Sequence, residues 1–270
     1  MIEDSNNHYH IAGVVPVSNY KKKLNFQWHD CLTPVGPDFT AIERSVWECA
    51  CAGAKTIWIV CEDDFQPIIK KQIGEWVYDP VNYAKSTFTK FPDDHRKKVP
   101  IFYVPIHPKD RIRRSSYGWS VLHGALTSFI CCSKISKWSL PTKYYVSFPF
   151  GVYDPECVLK HRDKIRTSEN FFVSYQEKTV SDNQYLGFTI TPVQWKNYVY
   201  QLKKNFKDSG DLTLAKIFIC GNISKDKRLE IDWYYDLGTW ESWVNGIHTN
   251  SLSRPFAKFQ RKNYGRIDFE

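Results

Sequence analysis

The stretch "DCLTPVGPDFTAIERSVWECACAGAKTIWIV", residues 30–60, joins an amphipathic helix to an apolar strand. Ile42, Val46 and Ala50 recur at the spacing of one helix face, which predicts a helix within residues 39–53. Gly53 is placed to end this helix, because glycine readily adopts the left-handed conformation found at helix C-termini. The following run, "TIWIVC", is typical of a strand that is covered on both faces. A helix followed directly by such a strand predicts an α/β fold.

The rest of the chain continues this alternation. The segments "IAGVVPV", "VPIFYVPI" and "KYYVSFPF" are predicted strands, and "WSVLHGALTSFICCSKISKW" is a predicted buried helix. From about residue 171 the predicted strands "NFFVSYQEK", "QYLGFTIT" and "AKIFICGN" follow with a different pattern. We therefore expect a mixed, mostly parallel central sheet in one domain with two halves, residues 1–170 and 171–250. Residues 251–270 are expected to form a basic C-terminal tail.

Composition limits the partners that we expect. The 270 residues carry a formal net charge of +8, with basic clusters at residues 21–23, 109–114 and 254–266, and positive charge favours anionic partners. Nucleic acid is a weaker alternative, suggested by basic segments that are interleaved with aromatic residues. The apolar runs are too short to span a bilayer and the N-terminus is polar and acidic, so we expect a cytoplasmic protein without a membrane partner. The sequence predicts no oligomeric state.

Three segments, in order, resemble the sugar nucleotidyltransferase family, which joins a nucleoside triphosphate to a sugar 1-phosphate. The stretch quoted above is similar to the family's Leu-x-Pro-Val corner and Ile-Glu-Arg helix, "YLGFTITPVQWKNYVYQLKK" to a strand-and-helix step, and "WYYDLGTWESW" to a Trp-x-Asp-Ile-Gly-Thr motif. The resemblance covers residues 11–247. It implies a Rossmann-like three-layer α/β/α fold of the nucleotidyltransferase or GT-A type, with the nucleotide at the carboxyl ends of the first strands. The matching residues are Leu32, Pro34, Val35, Gly36, Ile42, Glu43, Arg44, Ala52, Gly53, Asp236, Gly238, Thr239 and Glu241.

The chain departs from the family pattern in three places. The glycine-rich phosphate loop is replaced by "SNYKKKL", so that lysine side chains would take over from backbone N–H groups. The family's lysine before the corner aligns with Asp30, which reverses the charge. The family's Gly-Asp pair, whose carboxylate helps to hold Mg²⁺, is replaced by "PFGVYDPE", where the nearest carboxylates are Asp154 and Glu156.

The favoured hypothesis is a nucleotidyltransferase-like protein that binds a nucleotide and a sugar phosphate, or a nucleotide sugar, with Mg²⁺ or Mn²⁺. Positive charge must face the transferring phosphoryl group, because negative charge develops there in the transition state. The predicted site residues are Ser18, Asn19, Lys21, Lys22, Pro34, Val35 and Gly36 for nucleotide binding, Lys23, Arg111 and Arg114 for catalysis, Gly187, Asp236, Gly238 and Thr239 for sugar binding, and Asp154 and Glu156 for the metal.

Alternatives remain open at this point. The start "VVPVSNY" is similar to that of inverting glycosyltransferases with a GT-A fold, in which an Asp-x-Asp pair holds a metal on the nucleotide. Asp154 and Glu156 are such a pair, or else Asp154 caps a helix and Glu156 is solvated. The aromatic residues of "WYYDLGTWESW" form either core or a platform for a sugar. A third alternative is a non-catalytic relative with a binding or phage structural role, since the chain loosely resembles uncharacterised tailed-phage proteins.

Overall fold

The computed structural model describes residues 9–21, 23–81, 98–106, 116–135, 140–204, 213–218 and 227–255. In chain order the strands are β1 (Ile11–Pro16), β2 (Pro34–Gly36), β3 (Phe39–Thr40), β4 (Thr56–Cys61), β5 (Trp76–Tyr78), β6 (Lys98–Pro105), β7 (Lys143–Val146), β8 (Gly151–Val152), β9 (Phe172–Ser174), β10 (Phe188–Ile190), β11 (Arg228–Glu230) and β12 (Tyr235–Asp236). The α-helices are α1 (Ala41–Cys51), α2 (Gln66–Ile73), α3 (Tyr117–Ile135), α4 (Glu156–Lys160), α5 (Arg162–Thr167), α6 (Pro192–Lys204), α7 (Leu214–Ile217) and α8 (Trp240–Thr249).

The central sheet has the strand order β11-β9-β10-β7-β1-β4-β6-β5 within the described residues. β1 lies in the middle and pairs in parallel with β4 on one side and β7 on the other, so that Val14 is opposite both Trp58 and Val146. β4 and β6 are also parallel, whereas β10 runs antiparallel to β7 and β9. The sheet is therefore mixed and mostly parallel, as the sequence predicts.

Helices cover both faces of this sheet and give the three layers that the alternation predicts. Because side chains alternate across a strand, Val15 faces the core beneath α1, whereas Val14 faces the core beneath α3. On the α3 side the two layers approach closely at Gly124, where an added Cβ would stand 2.8 Å from Val14 Cγ1 and 2.7 Å from Val60 Cγ2. The close contact of helix and strand therefore depends on that glycine.

Several local predictions are wrong. Within the predicted strand "AKIFICGN", residues 215–217 belong to the short helix α7 instead, and residues 219–222 lie outside the described residues. The helix α2 ends at Ile73, because Gly74 takes a φ of 90° and the chain continues into β5. The helix α3, expected to be buried, exposes Phe129 and Ile130 by 39% and 41%. No helix in the described parts of the chain is long and apolar enough to cross a membrane.

Two small pairings that the sequence did not indicate complete the fold. β2 and β3 form an antiparallel hairpin directly before α1. β8 and β12 form a two-stranded ribbon, in which Asp236 lies opposite Gly151. The ribbon brings the segment that precedes α8 next to the segment that follows β7. It therefore joins residues from the two predicted halves of the chain.

Candidate functional site

The strand order creates a crevice between β1 and β7. After β1 the chain proceeds to β4 and β6 on one side, and β7 then returns to the other side of β1. In open α/β sheets such a reversal separates the loops at the carboxyl ends of the two strands, and ligands bind in the gap. The candidate site is therefore the edge at which the loops after Pro16 and Val146 leave the sheet.

The first residues of the β1 loop are fastened to α3. The Ser120 hydroxyl donates to the Ser18 carbonyl at 2.7 Å, and Asn19 Nδ2 donates to Ser120 Oγ at 3.2 Å. The Tyr117 hydroxyl donates to the Pro16 carbonyl at 2.8 Å. Ser18 Oγ is buried and has no hydrogen-bond partner among the described residues. The predicted contact of Ser18 with a nucleotide stays a prediction.

Aromatic rings fill the base of the crevice. Tyr20 stacks on Phe150 with ring centroids 3.3 Å apart, and the edges of Tyr117 and Tyr185 meet it at 5.7 and 5.9 Å. Burial raises the pKa of the Tyr20 and Tyr117 hydroxyls far above the usual value, so both remain neutral phenols. Where the family pattern has glycines, this chain thus has bulky side chains. Sequence reasoning missed this cluster, although "PFG" in place of Gly-Asp was its signal.

Lys23 and Asp236 converge above these rings. The exposed Lys23 ammonium lies 6.0 Å from the ring centroids of both Tyr20 and Tyr185. A Cβ added to Gly238 would stand 3.2 Å from Lys23 Nζ and 2.6 Å from Asp236 Oδ1. Asp236 Oδ1 accepts the Gly238 amide at 2.7 Å, which fixes the carboxylate. Burial, and next the Asp236 charge, raise the pKa of Tyr185 to about 12. The structure thus brings together residues that were predicted separately from the two ends of the chain.

Asp30, which replaces the family's lysine, shapes the loop that carries Lys23. Its side chain is fully buried, and its Oδ2 accepts the backbone amides of Lys23 at 2.8 Å and Leu24 at 3.4 Å. A lysine could not accept these N–H groups. The reversed charge is therefore explained by loop geometry, because Asp30 holds the backbone seven residues earlier at Lys23.

The corner Pro34–Gly36, predicted to shape a base pocket, contacts the protein's own C-terminal region. Trp243 Nε1 donates to the Pro34 carbonyl at 2.9 Å, and the Leu252 amide donates to the Val35 carbonyl at 3.1 Å. At Gly36 an added Cβ would overlap the Leu252 carbonyl. We call residues 250–255 the C-terminal strap. The strap covers this side of the corner. Its contact with Gly36 explains, without a ligand, why a residue with no side chain is needed at that position.

Two of the predicted sugar-binding residues have structural contacts. Thr239 is the N-cap of α8, and its hydroxyl accepts the Ser242 amide at 3.1 Å. Gly187 is buried, and its amide donates to the Tyr153 hydroxyl at 3.0 Å. A Cβ at Gly187 would press on the Glu48 carboxylate at 2.5 Å. Packing alone therefore requires a glycine at position 187, whereas Asp236 and Gly238 lie at the Lys23 site.

The predicted metal pair, Asp154 and Glu156, lines a pocket whose lining does not include Lys23. Asp154 Oδ1 accepts the Glu156 amide at 2.9 Å, which caps the turn into α4. Both side chains are exposed and line a pocket of about 480 Å³, together with Trp233 and the C-terminal strap. The ribbon places Gly151 opposite Asp236, and Asp154 lies three residues farther along the chain. Over the described ranges no three His, Cys, Asp or Glu side chains are grouped closely enough to hold a metal ion. Among the described residues, Asp154 and Glu156 therefore have no third side chain of these types beside them.

The Ile-Glu-Arg motif at the start of α1 is buried and makes contacts inside the protein. Arg44 and Glu48 are fully buried and paired at 2.8 Å. The hydroxyls of Tyr145 and Ser147 each donate to the Glu48 carboxylate at 2.6 Å, and Tyr153 donates to it as well. Arg44 Nη2 also donates to the Phe148 carbonyl at 2.7 Å. We call these five side chains the Glu48 cluster. It fixes the backbone that follows β7, and thereby one wall of the crevice.

The remaining predicted contacts fall on the rim or outside the described residues. Lys21 is exposed on the same loop as Lys23. Lys22, Arg111 and Arg114 lie outside the described residues, as do residues 256–270 of the predicted tail. Their assignments stay predictions.

Comparison with known proteins identifies the fold. No protein-family model matches the chain, and no curated protein matches its sequence. A Bacillus anthracis protein provisionally described as a glucose-1-phosphate thymidylyltransferase, in complex with sucrose, matches with a TM-score of 0.53 and 10% identity over 92% of this chain and 98% of that chain. A UDP-glucose pyrophosphorylase complexed with UDP-glucose matches with a TM-score of 0.50 and 14% identity, over 89% and 98%. These similarities confirm the α/β fold of the nucleotidyltransferase type and show the fold alone.

Proposed function

We propose that the carboxyl edge of β1 and β7 binds a nucleotide or nucleotide sugar, with its phosphates at Lys23 and its sugar at Asp236. One observation carries this proposal: an exposed ammonium and a fixed carboxylate converge beside Gly238 at the crevice where this fold binds its ligands. An added side chain at position 238 would fill the space between the two charges. The solved structures of the same fold, one of them complexed with UDP-glucose, support the ligand class.

The reaction that we favour is nucleotidyl transfer. An oxygen of a sugar 1-phosphate attacks the α-phosphorus of a nucleoside triphosphate, a new phosphorus–oxygen bond forms, and pyrophosphate leaves with the electrons of the bond that breaks. Lys23 would stabilise the negative charge on the transferring group. Asp236 would accept a hydrogen bond from a sugar hydroxyl and orient the acceptor. Mg²⁺ would enter only with the triphosphate, as part of the substrate.

The second candidate function is nucleotide-sugar binding without catalysis. Its support is the stack of Tyr20 on Phe150, which occupies the base of the crevice, together with the use of Asp30 and Asp154 in local hydrogen bonds. The glycosyltransferase alternative has less support, because Lys23 does not line the pocket that contains its predicted metal pair. Neither candidate changes the assignment of Lys23 and Asp236 to the ligand.

Calorimetric titration of the full chain tests the binding proposal. We would titrate UTP, dTTP, UDP-glucose and glucose 1-phosphate, each with and without Mg²⁺. Lys23→Ala is expected to weaken nucleotide affinity about tenfold or more, since a charged hydrogen bond contributes roughly 1.5–3 kcal/mol. Lys196→Ala, which removes an exposed lysine of α6, is the matched control and is expected to change nothing. Equal affinities for Lys23→Ala and the parent protein would refute the assignment.

A pyrophosphate-release assay separates the two candidate functions. With any triphosphate that binds, glucose 1-phosphate should release pyrophosphate at a rate that falls in Lys23→Ala and in Asp236→Asn. Tight binding with no pyrophosphate, in the presence of Mg²⁺ or Mn²⁺, would favour the non-catalytic candidate.

A further inference from the structure

Four aromatic side chains cluster next to the Lys23 site. Phe26 stacks on Trp28 with ring centroids 4.6 Å apart, and it contacts Trp240 and Trp243 at 5.7 and 5.6 Å. Trp240 and Trp243 meet edge to face at 5.0 Å. We call these four residues the aromatic platform. The platform joins the loop after β1 to the first turn of α8.

The platform is anchored on one side and open on the other. Trp243 is partly buried, packs against the core, and donates its Nε1 proton to the Pro34 carbonyl. By contrast, Trp28 is 45% exposed and Trp240 is 57% exposed. Exposed indoles that lie together on a surface indicate a binding site, because leaving such an apolar area in water is unfavourable. The anchored rings hold the exposed ones in fixed positions without a ligand.

The platform and the charged pair are carried by the same two segments. Lys23 lies three residues before Phe26, and Gly238 lies two residues before Trp240. The Lys23 ammonium approaches Gly238, and the Phe26 ring approaches Trp240, so the two segments run side by side. A ligand whose phosphate is held at Lys23 would therefore place its next group near the platform.

The shape of the platform favours a sugar over a base. Phe26 and Trp240 are tilted by 59°, and Trp240 and Trp243 by 69°, so the rings do not offer one flat surface. A puckered pyranose ring has apolar C–H faces and a rim of hydroxyl groups. The C–H faces suit tilted indoles, and the hydroxyls suit the Asp236 carboxylate nearby. A flat nucleobase would use only one of the rings.

We propose that the aromatic platform is the sugar subsite of this protein, where the pyranose of a nucleotide sugar packs on Trp28 and Trp240. The proposal rests on the proposed function, because it takes the phosphates to lie at Lys23. It places the sugar at the outer edge of the site, above the rings of Tyr20 and Phe150 that fill the crevice. Trp28 and Trp240 are then specificity-determining residues for the sugar part of the ligand.

The test compares UDP-glucose with UDP. Both are titrated calorimetrically into the full-length parent protein, Trp28→Ala and Trp240→Ala. Loss of a stacking ring is expected to weaken UDP-glucose binding about fivefold or more, while UDP affinity stays unchanged. Tyr200→Ala is the matched control, since Tyr200 is an exposed aromatic residue (69%) on α6, and it should bind both ligands like the parent. Trp240→Phe should recover part of the UDP-glucose affinity, which mere unfolding in Trp240→Ala would not explain.

The other outcomes distinguish failure of the sugar subsite from failure of the proposed nucleotide binding at Lys23. Equal losses for UDP and UDP-glucose would assign the platform to the base and overturn the sugar subsite. No loss for either ligand would overturn the subsite, while Lys23→Ala still tests the nucleotide site. If the parent binds neither nucleotide, glucose 1-phosphate is titrated calorimetrically into the same proteins. A signal that Trp28→Ala and Trp240→Ala abolish would keep the subsite and reject the nucleotide, whereas no signal would reject both.

Discussion

Two charged regions of this protein, the Glu48 cluster and the Lys23 site, differ in burial and in the partners of their charges. In the Glu48 cluster the charges of Arg44 and Glu48 are buried, and hydroxyl groups and a carbonyl surround them. At the Lys23 site the ammonium is exposed, and it lies near the rings of Tyr20 and Tyr185 and near Gly238. A buried charge must find its partners within the protein, because desolvation is otherwise too costly. A charge at a rim can instead be solvated or can bind a ligand, and the second role is the one that we propose for Lys23.

The largest expected effect is on the Glu48 cluster. Glu48→Gln leaves the Arg44 guanidinium buried without a carboxylate, and breaking a buried pair costs about 3–5 kcal/mol. The guanidinium cannot escape this cost by losing its proton, because arginine stays protonated in proteins. Urea unfolding measures the loss. Glu177→Gln, an exposed control, should unfold like the parent, and so would Glu48→Gln if the cluster were dispensable.

A smaller loss of stability is expected at the C-terminal strap. Arg254 Nη2 pairs with Glu43 Oε1 at 2.7 Å, and the Glu43 side chain is fully buried. Arg254→Ala leaves that carboxylate with only its capping contacts to Thr40, at a cost of about 1–3 kcal/mol. The control is Arg166→Ala, since Arg166 is 56% exposed and pairs with Asp163 at 3.9 Å. Similar unfolding midpoints for both variants would show that the strap contributes nothing.

Lys143 is a third kind of charge, since it is a buried cation whose partners are carbonyl groups and not a carboxylate. Its Nζ donates to the Ile165 carbonyl at 2.7 Å, the Arg166 carbonyl at 3.0 Å and the Ser168 carbonyl. Burial lowers the pKa of Lys143 from 10.5 to about 8. Between these values the unfolded chain binds more protons than the folded one, so this lysine raises stability as the pH rises from 8 towards 10.5.

Lys143→Met supplies the reference for that effect. The difference in free energy of unfolding between the parent and Lys143→Met is expected to grow in the parent's favour from pH 7.5 to pH 9.5. Tyrosine and cysteine residues that titrate in the same window contribute to both proteins and cancel. A difference that is independent of pH would contradict the lowered pKa.

The smallest effect on stability is expected at the Lys23 site. Lys23→Ala should leave the melting temperature unchanged in the absence of ligand, although it weakens nucleotide binding. Thermal unfolding with and without UDP-glucose measures both properties in one experiment. If Lys23→Ala lowered the melting temperature of the unliganded protein, Lys23 would stabilise the fold, as Arg44 and Glu48 do.

The sequence predicts the layers better than the loops. The spacing of Ile42, Val46 and Ala50 predicts α1 correctly, because one face of a helix must bury apolar residues wherever it packs. The ribbon of β8 and β12 escaped prediction, since strands of two residues carry no periodic pattern. At the site, the approach of Lys23 and Asp236 to Gly238 depends on that long-range ribbon and on the contact of Asp30 with the Lys23 backbone. The motif around Asp236 predicts a sugar-binding residue, which stays a prediction, and it could not indicate that Lys23 lies near it.

The aromatic residues show the same limit. Composition shows that they are abundant, but burial decides what each one does. Within "WYYDLGTWESW", Tyr235 is buried, Trp233 and Tyr234 pack against the core, and only Trp240 is largely exposed. The two interpretations of this segment, core and platform, therefore each hold for different residues, with the platform role still a proposal.

The C-terminal strap has a consequence for biosynthesis. The pairing of Arg254 with Glu43 spans 211 positions, and the chain leaves the ribosome from its N-terminus onward. The corner at Pro34–Gly36 and the start of α1 therefore emerge early but gain their last partners only when residues 250–255 have been made. Domains generally fold as their chain emerges, and distant contacts form slowly. A nascent chain stalled before residue 250 would thus hold an assembled sheet with an uncovered corner, a state that limited proteolysis of truncated translation products can detect.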